Sequence, residues 1–265
     1  MAESPYLALL RSRVRAQTSY RASFVSDLIA QVLVGFVEFT EVYVVFANVH
    51  LLGGLTFVQC SLVFALANVA FSLADLAVGH VDELPTYLRQ GTLDAMLLRP
   101  LPVLAQLITG DVSLRRLGRT AMALGVLVVV LLHVHIVWTV PKVLLLIVAP
   151  LAGAAVFAAL FVAAAALQFW LIEGGELANS FTYGGSYVAE FPTSVLHFAL
   201  RVAFTFVVPA GFVAYLPALV LLDLDGPPGW PSWLGWLTPA MALLAWGIAG
   251  LAWRAGLRHY TGAGG

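Results

Sequence analysis

The residues best suited to chemistry in this chain are carboxylates at helical spacing inside apolar stretches. Glu38 and Glu41 stand three apart on one helix face, with Asn48 further along the same stretch. Asn68 and Asp75 stand seven apart on one face of the next. A carboxylate among hydrocarbon is costly and turns toward protein or water, which makes it a functional candidate. Glu38 and Glu41 could line a translocation path, attracting cations or accepting protons, or could form a structural pair bonded to a neighbouring helix. Asn68 and Asp75 read first as polar glue between packed helices and second as further lining of such a path.

Other chemistries lack their residues. No G-x-x-x-x-G-K-[ST] phosphate loop is present, and Lys142 is the single lysine, so the chain does not hydrolyse ATP by that route. His133 and His135 are two apart, on different faces of a helix, with no adjacent third ligand and no H-E-x-x-H, so no metal site is expected. Ser186 follows Gly184 and Gly185, but His197 is roughly three helical turns away, too far for a paired base. Cys60, the only cysteine, has no internal disulfide partner and reads as a small buried hydrophobe.

A different kind of candidate lies at 79–119. Pro85, Gly91, Pro100, Pro102 and Gly110 cut this polar segment into short pieces. Leu93, Met96 and Leu97, then Val103, Leu104 and Leu107, recur at helical spacing. Two short amphipathic helices joined by a Pro-x-Pro turn would expose an apolar patch rimmed by Arg89, Asp94, Arg99 and Asp111, which suits docking. A helix lying flat on a membrane is the competing reading.

The elements that must position these groups follow from composition. The 265 residues are 61% hydrophobic and 10% charged, with mean hydropathy +0.95, far beyond what a soluble core of this size hides. Apolar stretches near 24–47, 57–78, 120–137, 143–167, 196–222 and 234–253 are each about as long as the ~20 residues that cross a bilayer. Each must be helical, because lipid offers no partner for a free strand edge. Pro209 and Pro217 predict a kinked or broken fifth span. Ala154, Ala155, Ala158, Ala159 and Ala163 to Ala166 offer the fourth a face for close packing. Residues 1–22, with Tyr6, Leu9, Leu10 and Val14 among arginines, read as an amphipathic helix on the membrane surface.

Cations orient the spans. Arg11, Arg13, Arg15 and Arg21, then Arg89, Arg99, Arg115, Arg116 and Arg119, then Arg254 and Arg258 all fall on one side, and Lys142 falls on the other. The positive-inside rule puts both termini and 79–119 in the cytoplasm. Counted this way, the loop 168–195 is also internal and takes Arg201 with it, while 223–233 is external. The expected fold is all-α: a single polytopic membrane domain over 1–265 with about six transmembrane helices.

Gly91-Thr92-Leu93-Asp94, Leu97-Leu98-Arg99-Pro100-Leu101-Pro102, then Asp111, Arg116, Gly118 and Arg119, resemble the first cytoplasmic loop of bacterial ABC-2 type permeases. The similarity is to the branch described as uncharacterised, daunorubicin-resistance-like or viologen-exporter-like. Glu176-Leu177-Ala178-Asn179, Tyr187, Phe191-Pro192, Val208-Pro209 and Tyr215-Leu216-Pro217-Ala218 share its style.

The resemblance implies a non-enzymatic permease in the bacterial inner membrane, part of an exporter. Residues 1–22 would be its elbow helix and 79–119 its coupling-helix loop. Its partners would be two separate ATPase subunits, a second identical or related permease and membrane lipid, with no nucleic acid. ATP and Mg2+ would belong to the ATPase, and this chain would bind no cofactor. Leu93, Asp94, Leu97, Arg99, Pro100, Pro102 and Leu104 would meet the ATPase, with Arg99 and Asp94 as anchors. An amphipathic, possible-cation cargo would suit the apolar lining with Glu38 and Glu41. The rival reading is a proton- or ion-coupled carrier using Glu38 and Glu41 without an ATPase.

Overall fold

The computed structural model describes residues 21–110, 115–171 and 175–262. Apart from Arg21 and Ala22, the surface helix expected at 1–22 lies outside the described residues, as do Asp111 and Glu173. The described chain is helical throughout, with one isolated bridge between Leu52 and Leu55. Among the described residues, five helices are long and apolar enough to cross a membrane, and up to six if a bent pair is counted as one span.

Helix α1 (Arg21–Phe46) leads through a short connection to α2 (Phe57–Val78). A 3-10 turn (Gly79–Glu83) and three short helices follow: α3 (Leu84–Arg89), α4 (Thr92–Leu97) and α5 (Val103–Gly110). Then come α6 (Arg115–His133), α7 (Val140–Leu167), α8 (Gly175–Ala189) and α9 (Phe198–Val202). Two π-helical stretches, Ala203–Val207 and Gly211–Tyr215, precede α10 (Leu216–Leu221). Another 3-10 turn (Ser232–Leu237) opens onto α11 (Thr238–His259).

Helix α2 is apolar on every side and forms the centre of the bundle, as such a helix must. Its neighbours α1, α6 and α7, and α11 packed on α7, turn Val32, Phe36, Leu132, Leu144, Leu151 and Leu251 outward, a surface suited to lipid rather than water. Between such helices, tight packing replaces hydrophobic transfer as the cohesive force. Phe71 supplies it, its ring centroid 5.3 Å from Phe157, 5.8 Å from Phe161 and 5.5 Å from Tyr183. Gly153 lets α2 and α7 approach: a Cβ there would stand 3.0 Å from both Ala70 and Val213.

Helices α2 and α7 run parallel. Gly153 meets Ala70 in mid-helix, and Phe169, just past the end of α7, reaches through Tyr260 to Asp94 in the hairpin that follows α2. The starts of α2 and α7 therefore share one face. Helix α8 runs the other way. At one end of α2 the Tyr183 hydroxyl donates to Asp82 at 3.3 Å; at the other, Ser194 Oγ donates to the carbonyl of Gly53 at 2.9 Å. The stretch 175–194 thus travels the length of α2.

This revises the topology expected from sequence. The fifth passage is α8 and its extension, in place of 196–222. Residues 198–221 instead form a pair bent by 78° whose two ends lie at the same face. At the first end, Arg201 donates to the carbonyls of Thr193, Ser194 and Leu196, next to Gly53. At the other, Asp223 pairs with Lys142 at the start of α7, N–O 2.5 Å. The bend falls at Val208–Pro209, where proline removes an N–H from the helical ladder. Arg201 accordingly joins Lys142 on one face, opposite the remaining arginines of the described chain.

Candidate docking hairpin and the polar seam beneath it

The hairpin of α4 and α5 is set by local rules. Gly91 opens α4 in the left-handed region, φ 67°, which glycine adopts without strain. Pro100 and Pro102 end one helix and admit the next. Gln106, buried, donates from Nε2 to the carbonyls of Met96 and Leu101, both at 2.9 Å, and so closes the turn from inside. The His80 ring bonds the Tyr87 hydroxyl at 3.0 Å, and Thr92 Oγ1 donates to the Tyr87 carbonyl at 3.4 Å.

The seven expected docking residues divide by exposure. Leu97, Arg99, Pro100 and Pro102 are exposed at the tip, Leu104 and Asp94 are half-buried, and Leu93 is fully buried. Leu107 and Val103 are buried too, so the apolar patch read from helical spacing mostly faces the bundle. The tip is carried instead by Leu97 and Leu98, the latter 88% exposed. Leu98 was passed over because only one of two adjacent leucines can share the face of Leu93. The Leu-Leu-Arg-Pro run, with proline ending the helix, is the signal that finds it. Asp94 accepts a hydrogen bond from the Tyr260 hydroxyl at 2.9 Å.

Beneath the hairpin lies a seam of buried charge between α1, α2 and α6. Arg116 Nε stands 3.2 Å from Asp75 Oδ1 and its Nη1 donates to the Asp75 carbonyl at 3.0 Å. Arg119 pairs with Glu38 at 3.0 Å, and its guanidinium lies 4.8 Å above the Phe71 ring. Thr120 Oγ1 donates to the carbonyls of Ser72 and Arg116. Asn68 bonds the buried Glu190 as well as the Phe64 carbonyl of its own helix. Asp75 and Asn68 thus act as ties between helices.

Glu38 and Glu41 part company. Glu38 is buried in its ion pair, while Glu41 is exposed on the outer flank of α1, in electrostatic reach of Tyr187 and Glu190. Arg116, Arg119, Glu190 and Phe71 were missed as members of the seam. The arginines had been counted as loop charges, although their spacing of three at the mouth of an apolar run places both on one helix face. Ser186 Oγ donates to the Tyr183 carbonyl at 2.7 Å within its own helix.

Long apolar helices packed around a buried one, with charge gathered mainly in internal pairs and at the ends, define a multi-pass membrane protein. Residues 32–264 match the family model described as ABC-2 family transporter protein, and the chain belongs to that family. Comparison with curated proteins and with solved structures gave no match. Membership makes the chain a membrane component of a transporter.

Proposed function

We propose that this chain is the permease subunit of an ATP-driven exporter and that the α4–α5 hairpin is where the ATPase grips it. The observation that carries the reading is the exposed Leu97-Leu98-Arg99-Pro100 tip on a hairpin whose base is buried against the bundle. A projecting apolar tip with a rigid base is what a lever between two proteins requires. Of the ten cations among the described residues, all but Lys142 and Arg201 are on the hairpin side, which is therefore cytoplasmic, with both termini. ATP and Mg2+ sit on the ATPase, of which two copies serve a pair of permeases in the bacterial inner membrane. The Leu-Leu-Arg-Pro-Leu-Pro run supports a place in the daunorubicin- and viologen-like branch.

The second permease is assigned to the α1–α8 flank. Glu41 at membrane depth does not face hydrocarbon cheaply, and the exposed Tyr187 lies within its electrostatic reach. Clefts of about 290 Å3 each flank α8, one lined by Phe181, Phe204 and Val207, the other by Tyr187, Phe191 and Pro192. An apolar lining, with Glu41 exposed on α1 as a separate carboxylate, suits amphipathic, cationic cargo. A carrier driven through paired Glu38 and Glu41 is disfavoured by the Glu38–Arg119 pair.

Co-purification tests the reading. The permease, purified from its native membrane, should bring a separate ATP-binding subunit with it, and reversal of charge at Arg99 should release that subunit while the permease still inserts. Transport that survives deletion of the ATPase and collapses with the proton gradient would sink it.

A further inference from the structure

Asp94 was expected to reach outward to a partner, yet its carboxylate is engaged from within. Tyr260, just past the end of α11, donates its hydroxyl to Asp94 Oδ1 at 2.9 Å across 166 residues of sequence. The surroundings of Tyr260 are rigid. Its backbone N–H bonds the Gly256 carbonyl, and its ring lies edge-on to Phe169 at 6.1 Å. Phe169 in turn meets Trp253 at 5.5 Å, and Trp170 stacks on His259 at 5.6 Å. A Cβ at Gly256 would stand 2.4 Å from Phe169, so glycine is what lets the ends of α7 and α11 close. Burial and the neighbouring carboxylate raise the Tyr260 hydroxyl above the ordinary phenol range, so it remains a donor at neutral pH.

The hairpin is held at its base by the Gly79–Glu83 turn, against which α5 packs, and by the buried side chains of Leu93 and Leu107. The Tyr260 hydroxyl gives it a second support, from the far end of the chain. We propose that Tyr260 is a positioning residue, which fixes the angle of α4 against the joined ends of α7 and α11, and that Asp94 serves the hairpin from inside rather than the ATPase surface. The consequence for ATPase binding rests on the docking reading above; the link itself does not.

Two measurements separate them. The first is amide hydrogen exchange of the purified chain in lipid nanodiscs without ATPase, for wild type, Tyr260→Phe, Asp94→Asn and the double variant. Tyr260→Phe should speed exchange over 92–98 by about tenfold, the loss of one hydrogen bond to a charged acceptor. Asp94→Asn, whose amide oxygen still accepts but carries no charge, should speed exchange by less, and the double variant by no more than Tyr260→Phe alone, because both changes act on one interaction. Exchange inside α7 and α11 should not change, which distinguishes a local support from general unfolding. The second measurement is affinity for the ATPase. Tyr260→Phe, far from the Leu98 tip, should weaken it by a similar factor.

Unchanged exchange over 92–98, or effects that simply add, would overturn the link. So would loss of ATPase binding in Asp94→Asn alone with Tyr260→Phe unaffected, since Asp94 would then belong to the partner's surface. If faster, non-additive exchange is found but wild type binds no ATPase, the link stands and the docking reading falls.

Discussion

Arg119 is shared between two elements: its guanidinium lies 3.0 Å from the Glu38 carboxylate of α1 and 4.8 Å over the Phe71 ring of α2. Its side chain is 18% exposed and that of Glu38 11%, so both charges have lost most of their water. Breaking such a pair from one side leaves a buried charge uncompensated, a cost of about 3–5 kcal/mol. Glu38→Gln should therefore lower the thermal midpoint in detergent markedly. Glu38→Gln combined with Arg119→Gln should recover part of the loss. Equal midpoints for wild type and Glu38→Gln would count against the buried pair.

The reassigned passage of α8 makes a sharp prediction about accessibility. In a Cys60→Ala background, His197→Cys should react with a membrane-impermeant maleimide added to intact cells, because His197 is exposed on the face of Gly53 and Lys142. Leu98→Cys should react only after permeabilisation. The topology read from hydropathy alone places both residues inside, so labelling of neither in intact cells would restore it.

The tip can be separated from the fold. Leu98 is almost fully exposed, so Leu98→Asp should change stability by no more than about 0.5 kcal/mol. It should nevertheless abolish capture of the ATPase. A variant that keeps its melting behaviour and still captures the ATPase would remove Leu98 from the docking surface.

Gln106 should behave in the opposite way. Gln106→Leu leaves the carbonyls of Met96 and Leu101 without their side-chain donor, at about 1–3 kcal/mol for partners left unsatisfied. Limited proteolysis at 97–102 should quicken in this variant, with α7 and α11 still protected. An unaltered digestion pattern would mean that the turn closes without Gln106.

At Gly153 the prediction concerns helix approach. Gly153→Val would drive a branched side chain against Ala70 and Val213. Overpacking of this kind costs about 1–3 kcal/mol, so the midpoint should fall, and a Gly153→Ala variant should lie between the two. A valine variant as stable as wild type would show that α2 and α7 do not touch here.

How much of this was legible in the sequence depended on what each segment faces. Residues 57–78 were read with the same bounds that α2 shows, because a helix surrounded by other helices is apolar on all sides. Helix α8 was read as loop for the converse reason. Glu176, Asn179, Thr182, Tyr183 and Ser186 depress its hydropathy, yet they sit on a helix packed against α2 and α7. The stretch 196–222 was read as a passage since it is long and apolar, and hydropathy does not reveal that a chain turns back. In the hairpin, helical spacing located the two short helices correctly but not which side faced outward, because the same spacing serves a buried face and an exposed one. The pairing of Asp75 with Arg116 and of Glu38 with Arg119 joins residues 41 and 81 apart, a relationship that no local pattern encodes.

Lys142 has a practical consequence. The chain's one side-chain amine is buried and held by Asp223. Reagents that react with amines, whether for cross-linking, dye attachment or surface immobilisation, will find it a poor target. In a mixed assembly such reagents will mark the neighbours and pass this subunit over, so its stoichiometry is better counted through an introduced thiol than through lysine chemistry.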